Sequence, residues 1–323
     1  MISVIITTFN SQDYIERSLI SVLNQTKFDL INEIILVDDD STDDTINIAK
    51  KIYNNLIVLK KKNSGPASSR NIGVKRANSK FICFLDADDF WHKDKIKLQT
   101  ESYKKNKKFD IFVCNTISVF GKEYLNVRYD KTKIFGNDKI IEGQVNSYIK
   151  AEGRYSFHPP SSIMVKKKIF LKFGYFNENL KYISVEDSEI FLRWVLNNCK
   201  IYFDSTPLIF YETNNQNSLT KKNNQWIENH FQYWKEIDIL KIKKNEKKKF
   251  IKMRRNTLLG SLFTLIKRNE NYLARKFLLK NFKILNSTKF YVILIISFLP
   301  ISSLKKLIIL IKKKYDHIIP TKN

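Results

Sequence analysis

Short apolar runs recur through the first third of the chain, and each gives way to polar groups at its C-terminal end. Residues 2–8, 33–38, 56–60 and 81–86 read as buried strands, rich in Ile, Val, Leu and Phe. Between them the period changes. Tyr14, Ile15, Leu19, Val22 and Leu23 recur at helical spacing and predict a helix over 12–24. Further helices are expected over 44–53, 66–78 and 93–105. Ser41 or Thr42 would cap the first of these, and Pro66 suits the opening turn of the second, where a missing N–H is harmless. Strands alternating with helices predict a mostly parallel sheet with its helices on the faces.

The pattern loosens after residue 110. Residues 111–114 read as a strand, 117–140 as hairpin and loop, 161–165 as a strand and 167–173 as a helix. A helix over 186–197 and strands over 201–204 and 208–211 complete the α/β body. Residues 225–283 read as lysine- and aromatic-rich helices, and 290–311 is the most apolar stretch. The expected organisation is one half of a domain over 1–110, the other half over 111–215, and a helical, basic extension over 216–323.

At 323 residues with 43% hydrophobic content, the chain can bury a sizeable core. Cys83, Cys114 and Cys199 are widely spaced and form no CxxC pair, which reads as reduced thiols in a cytoplasmic protein. No basic leader precedes the apolar run at Ile2, so a secretory signal is not expected. The net charge of +25 raises the question of an anionic partner. Arginines are sparse, and no helix-turn-helix, zinc or RNA-binding signature occurs, which argues against nucleic acid. Lysines flanking apolar runs at the C-terminus point to an anionic membrane surface, on a background of Lys, Ile and Asn enrichment along the whole chain.

The chemistry concentrates at strand ends. Phe81-Ile82-Cys83-Phe84-Leu85-Asp86-Ala87-Asp88-Asp89 delivers three carboxylates in four residues. Such crowding is costly unless a divalent cation relieves it, and hard oxygen ligands suit Mn²⁺ or Mg²⁺. Thr7, Thr8 and Phe9 end the first strand with small hydroxyls and a ring that can wall a flat base. Asp38-Asp39-Asp40-Ser41 ends the second, and Ser64-Gly65-Pro66-Ala67-Ser68-Ser69-Arg70-Asn71-Ile72-Gly73 enters a helix. An open sheet with polar groups at its strand ends binds ligand beyond those ends.

In this order the four segments resemble the family 2 glycosyltransferases, inverting enzymes of bacterial surface-polysaccharide type whose nucleotide-sugar domain has the GT-A fold. The resemblance is specific over roughly the first hundred residues and looser to about residue 215. It implies an α/β GT-A fold. It also assigns Asp39 to the imino N–H of uracil and Arg70 to the base or a phosphate. Asp86 falls near the ribose and metal, Asp88 on the metal itself, and Asp89 behind the metal or on the sugar. Glu186-Asp187 resembles the family's acidic pair at a helix start, which makes Asp187 the general base. A helix N-terminus favours a carboxylate, so Asp187 is expected to be ionised at neutral pH.

Two departures stand out. The turn has Asp40 where relatives have glycine, a residue that tolerates the left-handed conformation. The segment Tyr211-Glu212-Thr213-Asn214-Asn215 carries no histidine where relatives often do. His158, before Pro159-Pro160-Ser161-Ser162, is the one histidine placed toward the acceptor side.

The expected activity is metal-dependent transfer of a hexosyl or N-acetylhexosaminyl group from a UDP-sugar to a saccharide or lipid-linked acceptor. The expected place is the inner face of the cytoplasmic membrane. Alternatives are a nucleotidyltransferase and a non-catalytic membrane-associated scaffold. A Gly-rich basic loop after the first strand would mark the former, and Thr7-Thr8-Phe9-Asn10-Ser11 contains neither glycine nor lysine. For 290–311, Pro300 and Lys305-Lys306 interrupt the apolar run, which suits an interfacial or re-entrant anchor. A buried helical hairpin and a true span are the other readings.

Overall fold

In the computed structural model, the described residues are 1–105, 107–119, 139–142, 159–179, 184–212, 215, 224–237, 242 and 244–298. They divide into two compact units, Met1–Lys247 and Lys248–Asn323.

The first unit is built on one sheet. Its strands are β1 (Ile2–Thr8), β2 (Ile31–Asp38), β3 (Ile57–Lys60), β4 (Phe81–Asp86), β5 (Phe90–Trp91), β6 (Ile111–Val119), β7 (Lys139–Glu142), β8 (Ile163–Lys166) and β9 (Lys200–Glu212). They lie in the order β3-β2-β1-β4-β8-β6-β9-β5, with β7 paired to β9. The strands β3, β2, β1 and β4 are parallel, as the alternating pattern requires. Beyond β4 the sheet becomes mixed, because β8 runs antiparallel to both β4 and β6. This is the α/β architecture expected from the sequence, with a continuous parallel block in the N-terminal half and one further parallel pair, β6 with β9.

Helices α1 (Ile15–Leu23), α2 (Thr45–Ile52), α3 (Pro66–Arg76) and α4 (Lys95–Lys105) connect the parallel strands and follow β5. In α1, the buried residues Ile15, Ser18, Leu19 and Val22 form one stripe. Helix α3 is different. It is made of small and polar residues, yet Ala67, Ser68, Ser69, Arg70, Asn71, Gly73 and Val74 are all buried. It can approach the sheet only because Gly73 lacks a side chain, since a Cβ there would lie 2.4 Å from Ile5 Cγ2. Two short helices, α5 (Lys168–Phe173) and α6 (Glu186–Leu196), precede β9, and α7 (Gln225–Glu236) follows it. Cys83, Cys114 and Cys199 are buried, unbridged thiols.

The last strands differ from expectation. A single β9 replaces the two strands expected over 201–204 and 208–211, and its register against β6 slips between Cys114↔Asp204 and Asn115↔Pro207. Pro207 cannot donate to a ladder, so the chain bulges at that point and then resumes pairing. β6 likewise extends through Val119, paired along β9, and most of the hairpin and loop expected over 117–140 lies outside the described residues.

The second unit contains most of α8 (Lys244–Lys267), with α9 (Asn271–Lys280), α10 (Phe282–Leu285) and α11 (Thr288–Ile296). Leu258, Leu262, Leu265, Phe277, Leu278, Leu285 and Phe290 are buried within it. Among the described residues no helix is long and apolar enough to cross a membrane.

Candidate active site

The parallel register sets three strand ends level: Thr8 pairs with Asp38, and Thr7 with Asp86. The loops beyond them are stitched together. Asn10 N donates to Ser41 Oγ at 2.8 Å, and Thr42 N donates to Asn10 Oδ1 at 2.8 Å. Ser41 and Thr42 therefore do not cap α2. Asp44 occupies the cap position and makes no side-chain capping bond, and the preceding Asp43 accepts from Thr45 N at 3.1 Å. Asp40 adopts φ +74°, the left-handed conformation for which glycine is the usual choice.

The base-reading group expected at Asp39 lies at the entry to α3. Its Oδ1 accepts from the Lys61 ammonium and from Ser64 N at 2.9 Å, and Oδ2 accepts from Gly65 N at 2.8 Å. Two backbone N–H groups and an ammonium fix the carboxylate's plane. On the neighbouring strand Thr7 Oγ1 donates to Asp86 Oδ1 at 2.9 Å. Thr8 Oγ1 is buried without a hydrogen-bond partner, and Phe9 is 39% exposed.

Arg70 is a tie between elements. Its side chain is buried, with NH2 on Asp86 Oδ1 at 2.8 Å and NH1 on Glu186 Oε1 at 2.9 Å. Burial opposes its charge, but the Asp86 and Glu186 carboxylates outweigh that and raise its pKa. Both terminal nitrogens face protein carboxylates, so the guanidinium joins the end of β4 to the start of α6. The sequence holds no signal for this, because the two partners lie far apart along the chain.

That tie brings the acidic pair to the strand ends. Glu186 is buried and spends Oε1 on Arg70. Asp187 keeps a partly exposed carboxylate whose Oδ1 accepts from Ser188 N at 2.6 Å. Its pKa is pushed up to about 7, by burial first and by Glu186 next, against the Ser188 bond and Arg70, with Asp86 adding to the rise. The expectation of a fully ionised Asp187 is thus corrected: one helix N-terminus does not offset desolvation beside two other carboxylates.

Asp88 and Asp89 separate in role. Asp88 is half-buried, and Oδ2 accepts from Asn215 Nδ2 at 2.7 Å. Burial raises its pKa, the Asn215 bond opposes this, and Asp86 adds to it. Asp89 is fully buried, accepting from Ser161 Oγ at 2.7 Å and Glu212 N at 3.2 Å. Burial, then Asp88 and Asp86, hold its pKa well up. Both oxygens accept from the protein, so Asp89 anchors the turn from behind.

Three further residues frame this turn and were not singled out from the sequence for this role. Arg17 donates to Asp88 O at 2.6 Å and to Glu212 Oε2 at 3.2 Å, with its guanidinium 4.6 Å above the Phe90 ring. Ser161 Oγ also accepts from Asp86 N at 3.1 Å. Asn215 stands in the segment noted for lacking histidine. No spacing rule links these positions to the aspartates. His158 lies outside the described residues.

The donor set fits a hard divalent cation only in part. Among the described residues no group of three or more His, Cys, Asp or Glu forms a cage. Asp86 and Asp88 offer two neighbouring carboxylates; burial first, and Asp86 after it, raise the Asp88 pKa, and a cation would relieve the charge between the two. Two protein carboxylates plus phosphate oxygens and water make a complete shell for Mn²⁺ or Mg²⁺.

Comparison with known proteins agrees with this geometry. A sequence model described as Glycosyl transferase family 2 matches residues 3–174. The poly(ribitol-phosphate) beta-N-acetylglucosaminyltransferase TarP of Staphylococcus aureus is 30% identical over 261 residues, covering 77% of this chain and 75% of TarP. The UDP-Glc:alpha-D-GlcNAc-diphosphoundecaprenol beta-1,3-glucosyltransferase WfaP of Escherichia coli is 40% identical over 34% of this chain and 43% of WfaP. Other relatives are much longer: the chain spans 17% of an uncharacterized glycosyltransferase from Rickettsia felis. In fold, the chain is similar to the crystal structure of S. aureus TarS 1-349, with TM-score 0.56 and 23% identity over 91% of this chain and 90% of that one.

Proposed function

The chain belongs to glycosyl transferase family 2, and on that premise we propose that it transfers a hexosyl or N-acetylhexosaminyl group from a UDP-sugar with inversion. The acceptor is a saccharide or lipid-linked saccharide of a cell-surface polysaccharide, presented at the inner face of the membrane. The observation that carries this reading is the Arg70 bridge, which ties Glu186, the neighbour of Asp187, to the strand-end carboxylate Asp86. The names of relatives support the donor: WfaP uses UDP-Glc, and TarS has been crystallised with UDP-GlcNAc.

In this mechanism the base stacks on Phe9 and hydrogen-bonds Thr8 Oγ1, while Asp39 accepts the uracil imino N–H. Asp86 and Asp88 would hold Mn²⁺ or Mg²⁺, which supplies Lewis-acid neutralisation of the departing diphosphate. The acceptor hydroxyl oxygen bonds to the anomeric carbon as the bond from that carbon to the diphosphate oxygen breaks. The hydroxyl proton passes to Asp187. A carboxylate with a pKa of about 7 suits this task, because it is both available and basic at neutral pH.

Measuring sugar release from a panel of nucleotide sugars, with Mn²⁺ and with EDTA, tests the reading. Turnover of UDP-sugars that EDTA abolishes is the expected result. Turnover of no UDP-sugar, or full activity in EDTA, would overturn the donor or the metal.

A further inference from the structure

Helix α11 is apolar on every side except at Lys289, near its start, yet only part of it is covered. Phe290 and Ile293 are buried within the second unit, whereas Tyr291, Val292 and Ile295 are 50%, 49% and 64% exposed. Phe298, one turn further, is 69% exposed and lies 4.6 Å beneath the Arg275 guanidinium, which also donates to Ser297 O. These four residues recur at helical spacing and form one outward apolar row. Soluble surfaces carry scattered apolar residues, but a continuous row of large ones marks a contact face.

Charge identifies what the face contacts. Residues 271–315 contain ten basic residues, Arg275, Lys276, Lys280, Lys283, Lys289, Lys305, Lys306, Lys312, Lys313 and Lys314, and no Asp or Glu. Among the described ones, Lys276, Lys280, Lys283 and Lys289 are exposed. A second copy of the chain would bring the same positive charge against this face. An anionic surface would be drawn to it, and aromatic and aliphatic side chains bordered by lysines match the headgroup boundary of a bilayer.

We propose that the outward row Tyr291, Val292, Ile295 and Phe298, with its flanking lysines, docks the protein onto an anionic lipid surface. Helix α11 lies in the interface with that row inserted, and Lys283 and Lys289 contact lipid phosphates. The use of such a face rests on the lipid-linked acceptor proposed above, but its existence can be measured with neither donor nor acceptor present.

The test is co-sedimentation of the full chain with phosphatidylglycerol vesicles and, separately, with phosphatidylcholine vesicles. Binding to phosphatidylglycerol that weakens with salt is expected, with little binding to phosphatidylcholine. The double variant Val292→Glu/Ile295→Glu should lower partition by about tenfold or more, and Lys283→Glu/Lys289→Glu should remove the preference for the anionic lipid. The lysine variant keeps the test intact should the first pair fail to fold. Equal binding to both lipids, or unchanged partition of either variant, would overturn the proposal. So would a native dimer that Val292→Glu/Ile295→Glu converts to monomer in sedimentation velocity, because the face would then belong to a second copy.

Discussion

Arg70 donates to Glu186 Oε1 at 2.9 Å although the two residues lie 116 positions apart, and both side chains are almost wholly buried. The same guanidinium holds Asp86. Breaking one side of a buried ion pair leaves the other charge uncompensated and costs about 3–5 kcal/mol. Arg70→Ala should therefore lower stability by about that amount, and Glu186→Gln by less, since its amide still accepts from NH1. Chemical denaturation of the two single variants and the double variant yields the coupling directly.

Asp187→Asn keeps the size of the side chain and removes the proton acceptor. Turnover should fall on the order of a hundredfold or more while UDP affinity stays near that of the parent. The ascending limb of the pH–rate profile, expected near the Asp187 pKa of about 7, should vanish in the variant. Near-parental turnover would move the base to another residue.

The raised pKa of Asp187, Asp88 and Asp89 gives stability a pH dependence of definite sign. Between the ordinary aspartate pKa and about 7, the folded chain holds protons on this cluster that the unfolded chain has released. Stability should fall as pH rises through that window. In EDTA the thermal midpoint should decline from about pH 5 to about pH 8, and Mn²⁺ with UDP should recover most of the loss at the alkaline end. A midpoint that rises with pH would contradict the assignment.

Asp39→Ala should abolish discrimination between UDP and CDP, measured by competition in thermal shift. The loss of the Lys61, Ser64 and Gly65 bonds would also loosen the entry to α3. Thr8→Val tests the base wall separately, since it removes the unpartnered hydroxyl and leaves the packing volume. It should weaken UDP by up to about tenfold, the scale of one hydrogen bond.

Gly73→Ala places a methyl 2.4 Å from Ile5 Cγ2. Overpacking of this kind costs about 1–3 kcal/mol and should push α3, with Arg70, away from the strand ends. A loss of turnover beyond the loss of folded protein would report that displacement.

The N-terminal half was legible because its signals are local. Continuous apolar runs and helical spacing over residues 2–105 placed β1 to β4 and α1 to α4 within a few residues, and each strand end carried its own polar group. Helix α6 and the position of Asp187 were legible for the same reason. What the sequence hid was long-range pairing. Arg70 was assigned a base or phosphate from its resemblance to the family segment, and only the fold supplies its partners Asp86 and Glu186. The pKa of Asp187 escaped because a helix dipole is read from one element, whereas desolvation depends on all the groups packed around it. The strands expected over 201–204 and 208–211 are one, because pairing with β6 resumes beyond the bulge at Pro207.

The hydrogen bond from Glu212 N to Asp89 reaches from the last strand of the sheet to the aspartate turn. During synthesis the first four parallel strands emerge long before Glu212 does. Until β9 pairs, Asp89 lacks one of its two donors and Arg17 lacks its carboxylate partner. The turn that carries Asp86 and Asp88 therefore takes its final shape only once the sheet is closed at its far end. A fragment ending near residue 110 would keep the parallel strands and their sequence signature but would lack a competent nucleotide pocket. The shape of the aspartate turn is a property of the finished sheet, and it cannot be transplanted with the motif that announces it.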